Sequence, residues 1–225
     1  LPAQNLLDHF LIYLLRAFRV LRGAHGVHAA LGAGCHILLH SFKPADSGSD
    51  MLSTAARLSA YHTVYILDLL GFGQSEKPWI TYTNYLYVLL LRDFINDVIG
   101  EKTDILACEG SCLFALQAKN IYNDIIGKLT LVDPCSSERV KFPKSIALRM
   151  KKIIDSPLFG TFLYNLYSIA CGVPVDPAGR HVFVSRLTGH LTTDITGFEN
   201  LITDETIILE NAPEKRISLD ELYAE

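Results

Sequence analysis

Short apolar segments that alternate with helical segments constrain the fold of this chain more than any other feature of its sequence. Valine, isoleucine and leucine are frequent in these segments, and polar or glycine-containing turns bound them, as is typical of buried strands. The strand-like segments are residues 35–40, 63–68, 104–107, 128–133 and 205–210. Helical spacing of apolar residues lies between them, at 51–59, 82–99 and 111–121. Parallel strands need long crossovers, which are usually helical, so this alternation predicts an α/β fold with a mostly parallel sheet flanked by helices.

Two helical patterns follow one another without a strand after Pro143. They cover residues 145–154 and 159–170, and the strand-like segment at 205–210 then returns the chain to the sheet. We therefore expect a helical lid at about residues 136–200. Ligands of parallel sheets bind at the carboxyl ends of the strands, so a small apolar ligand is expected under this lid.

The N-terminal segment, residues 5–21, is strongly apolar but contains Asp8, His9 and Arg16. These polar residues argue against a membrane-spanning helix. We predict an amphipathic helix over residues 1–22 that contacts the body of the protein, a protein partner or a membrane surface. The sequence begins with leucine instead of methionine, so we expect processing or a start further upstream, and removal of an organelle-targeting segment would fit.

Length and composition favour one globular domain. The chain has 225 residues and a mass of 25.0 kDa, with 49% hydrophobic and 20% charged residues. We expect one α/β domain over residues 23–225. The formal net charge of -4 gives no electrostatic reason to expect a nucleic-acid partner.

Cysteine usage favours an intracellular protein. The 5 cysteines are an odd number without the dense spacing of a secreted disulfide scaffold, which indicates reduced thiols. We therefore expect a cytoplasmic or organellar location, peripheral to a membrane if residues 1–22 bind one. Cys108 and Cys112 form no CxxC pair, and nothing nearby completes a zinc site, so we expect neither a metal nor a cofactor.

Three segments resemble the α/β hydrolases, and more narrowly the branch of haloperoxidase-like and epoxide-hydrolase-like proteins. The segment HILLHSF at 36–42 resembles the strand that ends in His-Gly before the oxyanion hole, with Ser41 in place of the glycine. YILDLLGFGQSEKP at 65–78 resembles the D-x-x-G-x-G-x-S-x-x-P signature, which shapes a turn in this family. LTLVDP at 129–134 resembles the strand that leads into the lid.

The resemblance implies a ligand pocket next to these strand ends. Backbone amides near Ser41 and Gly110 would act as oxyanion donors. His40 lies near the same site and usually has a structural part in this family. Ser111, which follows Gly110 in the sequence, is the remaining residue expected at the pocket.

The family holds its nucleophile at the tip of a sharp strand-to-helix turn, G-x-S-x-G, where packing requires small residues two before and two after the tip. In the segment LACEGSC, residues 106–112, this rule places Glu109 at the tip, with Ala107 and Ser111 as its small neighbours. Centring the turn on Ser111 instead would place Glu109 and Leu113 where bulk is not accommodated. The sequence therefore predicts a glutamate at the position of the family's nucleophile.

A glutamate at this tip has three interpretations. In the first, the enzyme has lost its serine and the fold serves another role. In the second, Glu109 is a carboxylate nucleophile, as aspartate is in some relatives, although its extra methylene would move the attacking oxygen by more than about 1 Å. In the third, Glu109 binds a ligand or a protein without reacting.

The resemblance also implies a histidine base and an acid. Residues 188–191 (TGHL) faintly resemble the Gly-His of the catalytic loop, which makes His190 a candidate base. A better match sets residues 187–195 at the end of the lid, so that His190 packs or faces solvent and the sequence stops before the catalytic histidine. Asp133 is a candidate acid or ligand contact, with capping of the next turn as the simpler role.

We therefore predict a non-catalytic or atypical α/β-hydrolase-fold protein that acts as an accessory subunit of a larger, membrane-associated assembly. The alternative is a hydrolase of a small ester, epoxide or halide. In that alternative, Glu109 is the nucleophile or the acid/base, and the base is His190 or a histidine absent from the sequence.

Overall fold

A six-stranded sheet forms the centre of this protein, seen in a computed structural model that describes residues 18–21, 34–42, 46–134, 149, 151–154, 156, 159–170 and 180–210. Its strands are β1 (Phe18–Leu21), β2 (Cys35–Leu39), β3 (Thr63–Leu67), β4 (Thr103–Cys108), β5 (Ile126–Val132) and β6 (Thr206–Leu209). They lie in the order β1-β3-β2-β4-β5-β6, and every neighbouring pair is parallel except β1 with β3. The predicted mostly parallel sheet is confirmed.

The register of the parallel strands brings together the starts of the loops that follow β2, β4 and β5, which we call the functional loops. Ala107 near the end of β4 pairs with Leu39 at the end of β2. Cys108, the last residue of β4, pairs with Val132 at the end of β5. The chain segments that leave these three strands therefore begin side by side at one edge of the sheet.

Helices alternate with the strands along the chain and cover the sheet. They are α1 (Leu52–Leu58), α2 (Asn84–Phe94), α3 (Cys112–Ile121), α4 (Gly160–Ala170) and α5 (Arg180–Leu187). Short 3-10 turns occur at Gly48–Met51, Glu109–Ser111 and Glu199–Leu201, and a π turn at Ile95–Ile99 extends α2. The helices predicted at 51–59, 82–99 and 111–121 are confirmed, with ends that shift by a few residues.

The central strands of the sheet are buried on both faces, which explains their apolar sequences. Within β2, Ile37 and Leu39 belong to the larger core cluster, whereas Leu38 belongs to a smaller cluster with Ala55 of α1. Alternate residues of a strand face opposite sides, so both sides of β2 are covered by helices. All three of these β2 side chains are fully buried.

A threonine before α2 and a glycine after it determine where the helix begins and ends. Thr83 precedes the helix in extended backbone, and its hydroxyl accepts a hydrogen bond from the Leu86 amide at 3.1 Å. After the π turn, Gly100 takes the left-handed conformation with a φ of 76°. A side chain would be disfavoured there, so a glycine ends the helix.

The N-terminal helix predicted over residues 1–22 is wrong at its C-terminal end. Phe18–Leu21 form a strand that pairs antiparallel with β3, from Phe18 opposite Leu67 to Leu21 opposite Val64. The edge of β3 offers unpaired backbone groups, and the aromatic and β-branched residues of this short segment favour extended backbone. Residues 1–17 and 22 lie outside the described residues, so the rest of this prediction stays open.

Between β5 and β6 the structure describes helices followed by turns and loops over residues 188–205, and the lid at about 136–200 stays a prediction. Residues 151–154 are helical, and α4 and α5 follow. The sequence did not predict α5, because His-Val-Phe-Val is rich in β-branched and aromatic residues, which favour strands. The remaining residues of 135–179 lie outside the described residues.

Two hydrogen bonds attach α5 to the body of the protein. The Tyr82 amide donates to the Ser185 hydroxyl at 2.9 Å, and the Arg186 guanidinium donates to the Phe42 carbonyl at 2.7 Å. Phe42 follows the carboxyl end of β2, so α5 lies next to the edge where the functional loops begin. No helix within the described residues is both long and apolar enough to span a membrane.

Candidate functional site

The turn between β4 and α3 presents a glutamate at its apex. β4 ends at Cys108, a 3-10 turn covers Glu109–Ser111, and α3 begins at Cys112. Glu109 has a φ of 46°, in the left-handed region that residues other than glycine seldom adopt. Such a conformation costs about 1–3 kcal/mol and persists only where the surroundings enforce it.

Ser111 is one of the groups that enforce this turn. Its side chain is fully buried, and its hydroxyl accepts a hydrogen bond from the Cys108 amide at 3.0 Å. The same hydroxyl donates to the Cys108 carbonyl at 2.9 Å, and the Leu39 carbonyl is a second, more distant acceptor at 3.4 Å. Ser111 therefore closes the turn and is not presented as a nucleophile.

Gly110 allows neighbouring segments to pack tightly against the apex. A Cβ atom at this position would lie 2.8 Å from Cβ of Phe42 and 2.9 Å from Cγ2 of Thr193. Thr193 is itself buried, and its Oγ1 has no hydrogen-bond partner among the described residues. Sequence patterns do not identify Thr193, because a contact between positions so distant in the chain depends on the fold.

Ser41 brings a hydroxyl group to the glutamate. Its Oγ donates a hydrogen bond to Oε2 of Glu109 at 3.3 Å. Ser41 and Glu109, which the resemblance expects at the loop after β2 and at the tip of the turn after β4, thus contact each other. The structure brings the predicted residues Ser41, Glu109 and Gly110 together.

His40 supports the loop after β2 and has no capacity left for proton transfer. The Leu69 amide donates to its Nε2 at 3.1 Å, so this nitrogen carries no proton. Its Nδ1 must then carry the proton, which it donates to the Ser41 carbonyl at 2.6 Å. Burial lowers the pKa of His40, despite the Ser41 carbonyl and Asp68, and this agrees with a neutral ring.

The cysteines at the turn are not activated. Burial, followed by the nearby Glu109, Asp133 and Asp46 carboxylates, raises the pKa of the Cys108 thiol to about 12. Cys112 is buried, and its thiol donates to the Ala107 carbonyl at 3.2 Å. A nucleophilic cysteine requires a lowered pKa, so Cys108 stays a protonated thiol.

Asp133 lies at the same edge of the sheet as Glu109. It directly follows β5, and its amide donates to the Leu209 carbonyl of β6 at 2.7 Å. Its φ of 47° is, within the described part of the chain, the other positive value at a residue that is not glycine. Since the strands before Glu109 and Asp133 pair at their last residues, both carboxylates belong to one acidic region.

His190 lies away from this region. Its exposed ring bonds Oγ1 of Thr188 through Nδ1 at 2.8 Å. It lines a groove of about 390 Å³ whose walls include Gln117 and Ile121 at the C-terminal end of α3. Glu109 precedes the opposite end of that helix, so the structure does not bring His190 to the apex. The alternative placement, in which His190 faces solvent, agrees with this position.

The signature after β3 builds a turn, as its sequence predicts. The Asp68 carboxylate accepts hydrogen bonds from the Gly48 amide at 2.6 Å and the Gln74 amide at 2.9 Å. The Ser75 hydroxyl donates to the Asp68 carbonyl at 2.5 Å. A Cβ atom on Gly73, whose φ is 48°, would collide with the Asp68 carboxylate. These residues position the loop and do not reach the apex of the β4 turn.

The region around the apex thus combines two carboxylates with a serine hydroxyl and a histidine that is fully engaged. Within the described residues, no group of three or more histidine, cysteine, aspartate or glutamate side chains could hold a metal ion. The arrangement can accept hydrogen bonds and bind positive charge. Neither His40 nor His190, among the described residues, is in a position to accept a proton at Glu109.

Solved structures of α/β hydrolases resemble this chain. An α/β-hydrolase-fold protein from Burkholderia ambifaria is 18% identical, with a TM-score of 0.61 over 86% of this chain and 75% of that protein. The α/β hydrolase enzyme MGS-M2, from a Medee basin deep-sea metagenome library, is 18% identical, with a TM-score of 0.58 over 85% of this chain and 74% of its own. The haloalkane dehalogenase DatA from Agrobacterium tumefaciens C58 is 14% identical, with a TM-score of 0.53 over 78% of this chain and 71% of its own.

No protein-family model matches the sequence, and no curated protein matches it. The likeness in structure agrees with the observed sheet and with the sharp turn from β4 into α3. The chain has the α/β-hydrolase fold.

Proposed function

We propose that this chain is an atypical α/β-hydrolase-fold protein that binds a ligand at Glu109 and does not hydrolyse substrates there. The observation that carries the proposal is the left-handed apex of the β4 turn, where a glutamate stands in hydrogen-bond contact with Ser41. A carboxylate in that place removes the hydroxyl that a serine hydrolase uses.

The neighbouring groups support the absence of a substitute nucleophile. Ser111 is buried and bonded to the turn, and the Cys108 thiol is held protonated by its raised pKa. The nearby histidine, His40, has both ring nitrogens engaged. A nucleophile without a positioned base loses most of its reactivity.

The chemistry of the region favours a ligand that donates hydrogen bonds or carries positive charge. Glu109, Asp133 and Asp46 all act electrostatically on the Cys108 thiol, so the surroundings of this thiol are acidic. Ionised carboxylates are acceptors only. A small amine or a hydroxyl-bearing molecule would complement them.

Turnover and binding assays with matched variants test this proposal. Wild type, Glu109→Gln and the exposed control Asp97→Asn are assayed with activated esters and epoxides. We expect no turnover above the uncatalysed rate for any of the three proteins. Small amines that raise the Tm of wild type and of the control, but not of Glu109→Gln, would support binding at the apex.

The opposite result would be turnover by wild type and Asp97→Asn that disappears in Glu109→Gln. It would establish the second candidate function, a hydrolase of a small ester, epoxide or halide. The carboxylate at the apex favours that candidate, since its oxygen could displace a halide from carbon or open an epoxide, and water could then cleave the resulting alkyl ester. A haloalkane dehalogenase is among the similar structures.

The accessory role in an assembly remains a prediction. Because β1 belongs to the sheet, its test removes residues 1–17 and keeps Phe18–Leu21. Loss of co-purifying partners from the shortened chain would support the role, and an unchanged set of partners would argue against it.

A further inference from the structure

The outer side of α4 exposes an apolar face. Phe159, directly before the helix, and Phe162, Leu166 and Ile169 within it are 64%, 64%, 54% and 68% exposed. Their spacing of three and four residues places them on one side of a helix. We call these four residues the outer apolar face.

The opposite side of α4 is the one that packs on the protein. Tyr164 is buried, and its ring centroid lies 6.0 Å from that of Phe183 in α5. The hydroxyl of Thr161 accepts a hydrogen bond from the Arg180 guanidinium of α5 at 2.5 Å. These contacts orient the helix, so the outer apolar face points away from α5.

Cations lie next to this face. Arg149 and Lys152 are exposed and Lys151 is half-buried, in the segment that precedes α4. Gly160 at the start of α4 lies so close to the Ile154 carbonyl that a Cβ atom would collide with it, which places the two segments side by side. Residues 149–152 contain three lysines and arginines and no acid, in a chain of net charge -4.

The single tryptophan of the chain borders the same surface. Trp79 is 68% exposed and lines a cavity of about 320 Å³ together with Lys151. The Arg180 guanidinium, which bonds α4 through Thr161, lies 5.0 Å from the Trp79 ring. An exposed indole, an apolar helix face and several cations thus occur together.

We propose that the outer apolar face and its neighbouring cations bind the surface of a membrane that contains anionic lipids. Exposed phenylalanine, leucine and isoleucine enter the boundary between headgroups and acyl chains, where tryptophan is also stable. Lysine and arginine beside them are attracted by the negative surface potential. This charge complementarity favours an anionic bilayer over an apolar protein surface, and the proposal does not depend on the chemistry of Glu109.

Vesicle sedimentation of the full chain tests the proposal. We expect binding to vesicles of phosphatidylcholine with phosphatidylglycerol, weaker binding to phosphatidylcholine alone, and a decrease with added salt. Trp79, as the single tryptophan, should shift its emission to shorter wavelength on binding. The double variant Phe162→Ser, Leu166→Ser should lose most of the binding, whereas Ile121→Ser, on α3 and 52% exposed, should keep it.

The contribution of charge is tested in the same assay. Lys152→Gln should weaken binding to the anionic vesicles about fivefold. Lys102→Gln, another exposed lysine, serves as its control and should bind like wild type. Equal binding of all variants, or no binding to anionic vesicles, would overturn the proposal. So would a dimer in sedimentation velocity that Phe162→Ser, Leu166→Ser converts to a monomer, since the face would then join two copies of the chain.

Discussion

Glu109 takes a backbone conformation that carries a cost, and the residues around it offset that cost. Ser111 bonds the backbone of Cys108, and Ser41 contacts the carboxylate itself. The sequence alone places Glu109 at the apex, because the requirement for small neighbours concerns positions adjacent in the chain. The packing of Thr193 on Gly110 follows from the fold and gives no local sequence signal.

Removal of the Ser111 hydroxyl should destabilise the protein. Ser111→Ala leaves the buried Cys108 amide without its partner, and we expect a loss of about 1–3 kcal/mol in the free energy of unfolding, measured by urea denaturation. Ser59→Ala removes one exposed hydrogen bond and should change that free energy by less than about 0.5 kcal/mol. Equal effects of the two substitutions would show that Ser111 does not hold the turn.

Alkylation of Cys108 should depend on pH in a distinctive way. With a pKa of about 12, the folded thiol forms little thiolate near neutral pH, and its reaction with iodoacetamide should keep accelerating above pH 10. In the unfolded chain the rate should level off near pH 9, since an ordinary thiol has a pKa of about 8.5. Peptide mass mapping measures the rate at this cysteine, and a plateau at the same pH in both states would contradict the raised pKa.

The elements differ in how far the sequence predicts them. β2 to β5 are mostly buried apolar runs and β6 is a partly exposed one, and such local patterns identified them. β1 was predicted as helix because its segment also has helical spacing, and only the free edge of β3 makes it a strand. α5 was missed because its β-branched residues favour strands, yet contacts with Tyr82 and Phe42 hold it as a helix.

The junction between β4 and α3 should not tolerate a larger residue at Gly110. In Gly110→Ala, the new methyl group would approach Phe42 and Thr193 to within 3 Å, and we expect a loss of about 1–3 kcal/mol in the free energy of unfolding. Gly34→Ala is the control, because a Cβ atom there meets no atom within 4 Å. Thermal and urea denaturation of both variants measure the difference, and a neutral Gly110→Ala would show that the neighbouring segments are not tightly packed there.

At the scale of the whole molecule, the stability of the fold depends on pH through the buried side chain of His36. Burial, reinforced by His62 and opposed by Asp104, lowers the pKa of His36 from 6.5 to about 4. Below pH 6.5 the unfolded chain therefore binds a proton that the folded protein does not. Stability from this group is present above pH 6.5 and is lost as the pH falls toward 4.

Because of His36, we expect the free energy of unfolding to fall by about 2 kcal/mol between pH 7 and pH 5. His36→Gln should remove this part of the pH dependence, whereas His190→Gln, at an exposed position, should leave it unchanged. Urea denaturation of the three proteins at both pH values measures it. The same pH dependence in His36→Gln and wild type would contradict a lowered pKa.

Whether the carboxylate at the apex reacts is tested most directly by mass spectrometry of the peptide that contains Glu109. Wild type and Glu109→Gln are incubated with a haloalkane and with an epoxide, then denatured in acid and digested. If Glu109 binds without reacting, its peptide keeps its unmodified mass in wild type at every time point. An alkyl ester on Glu109 of wild type, formed with loss of halide or by opening of the epoxide and absent from Glu109→Gln, would contradict the account.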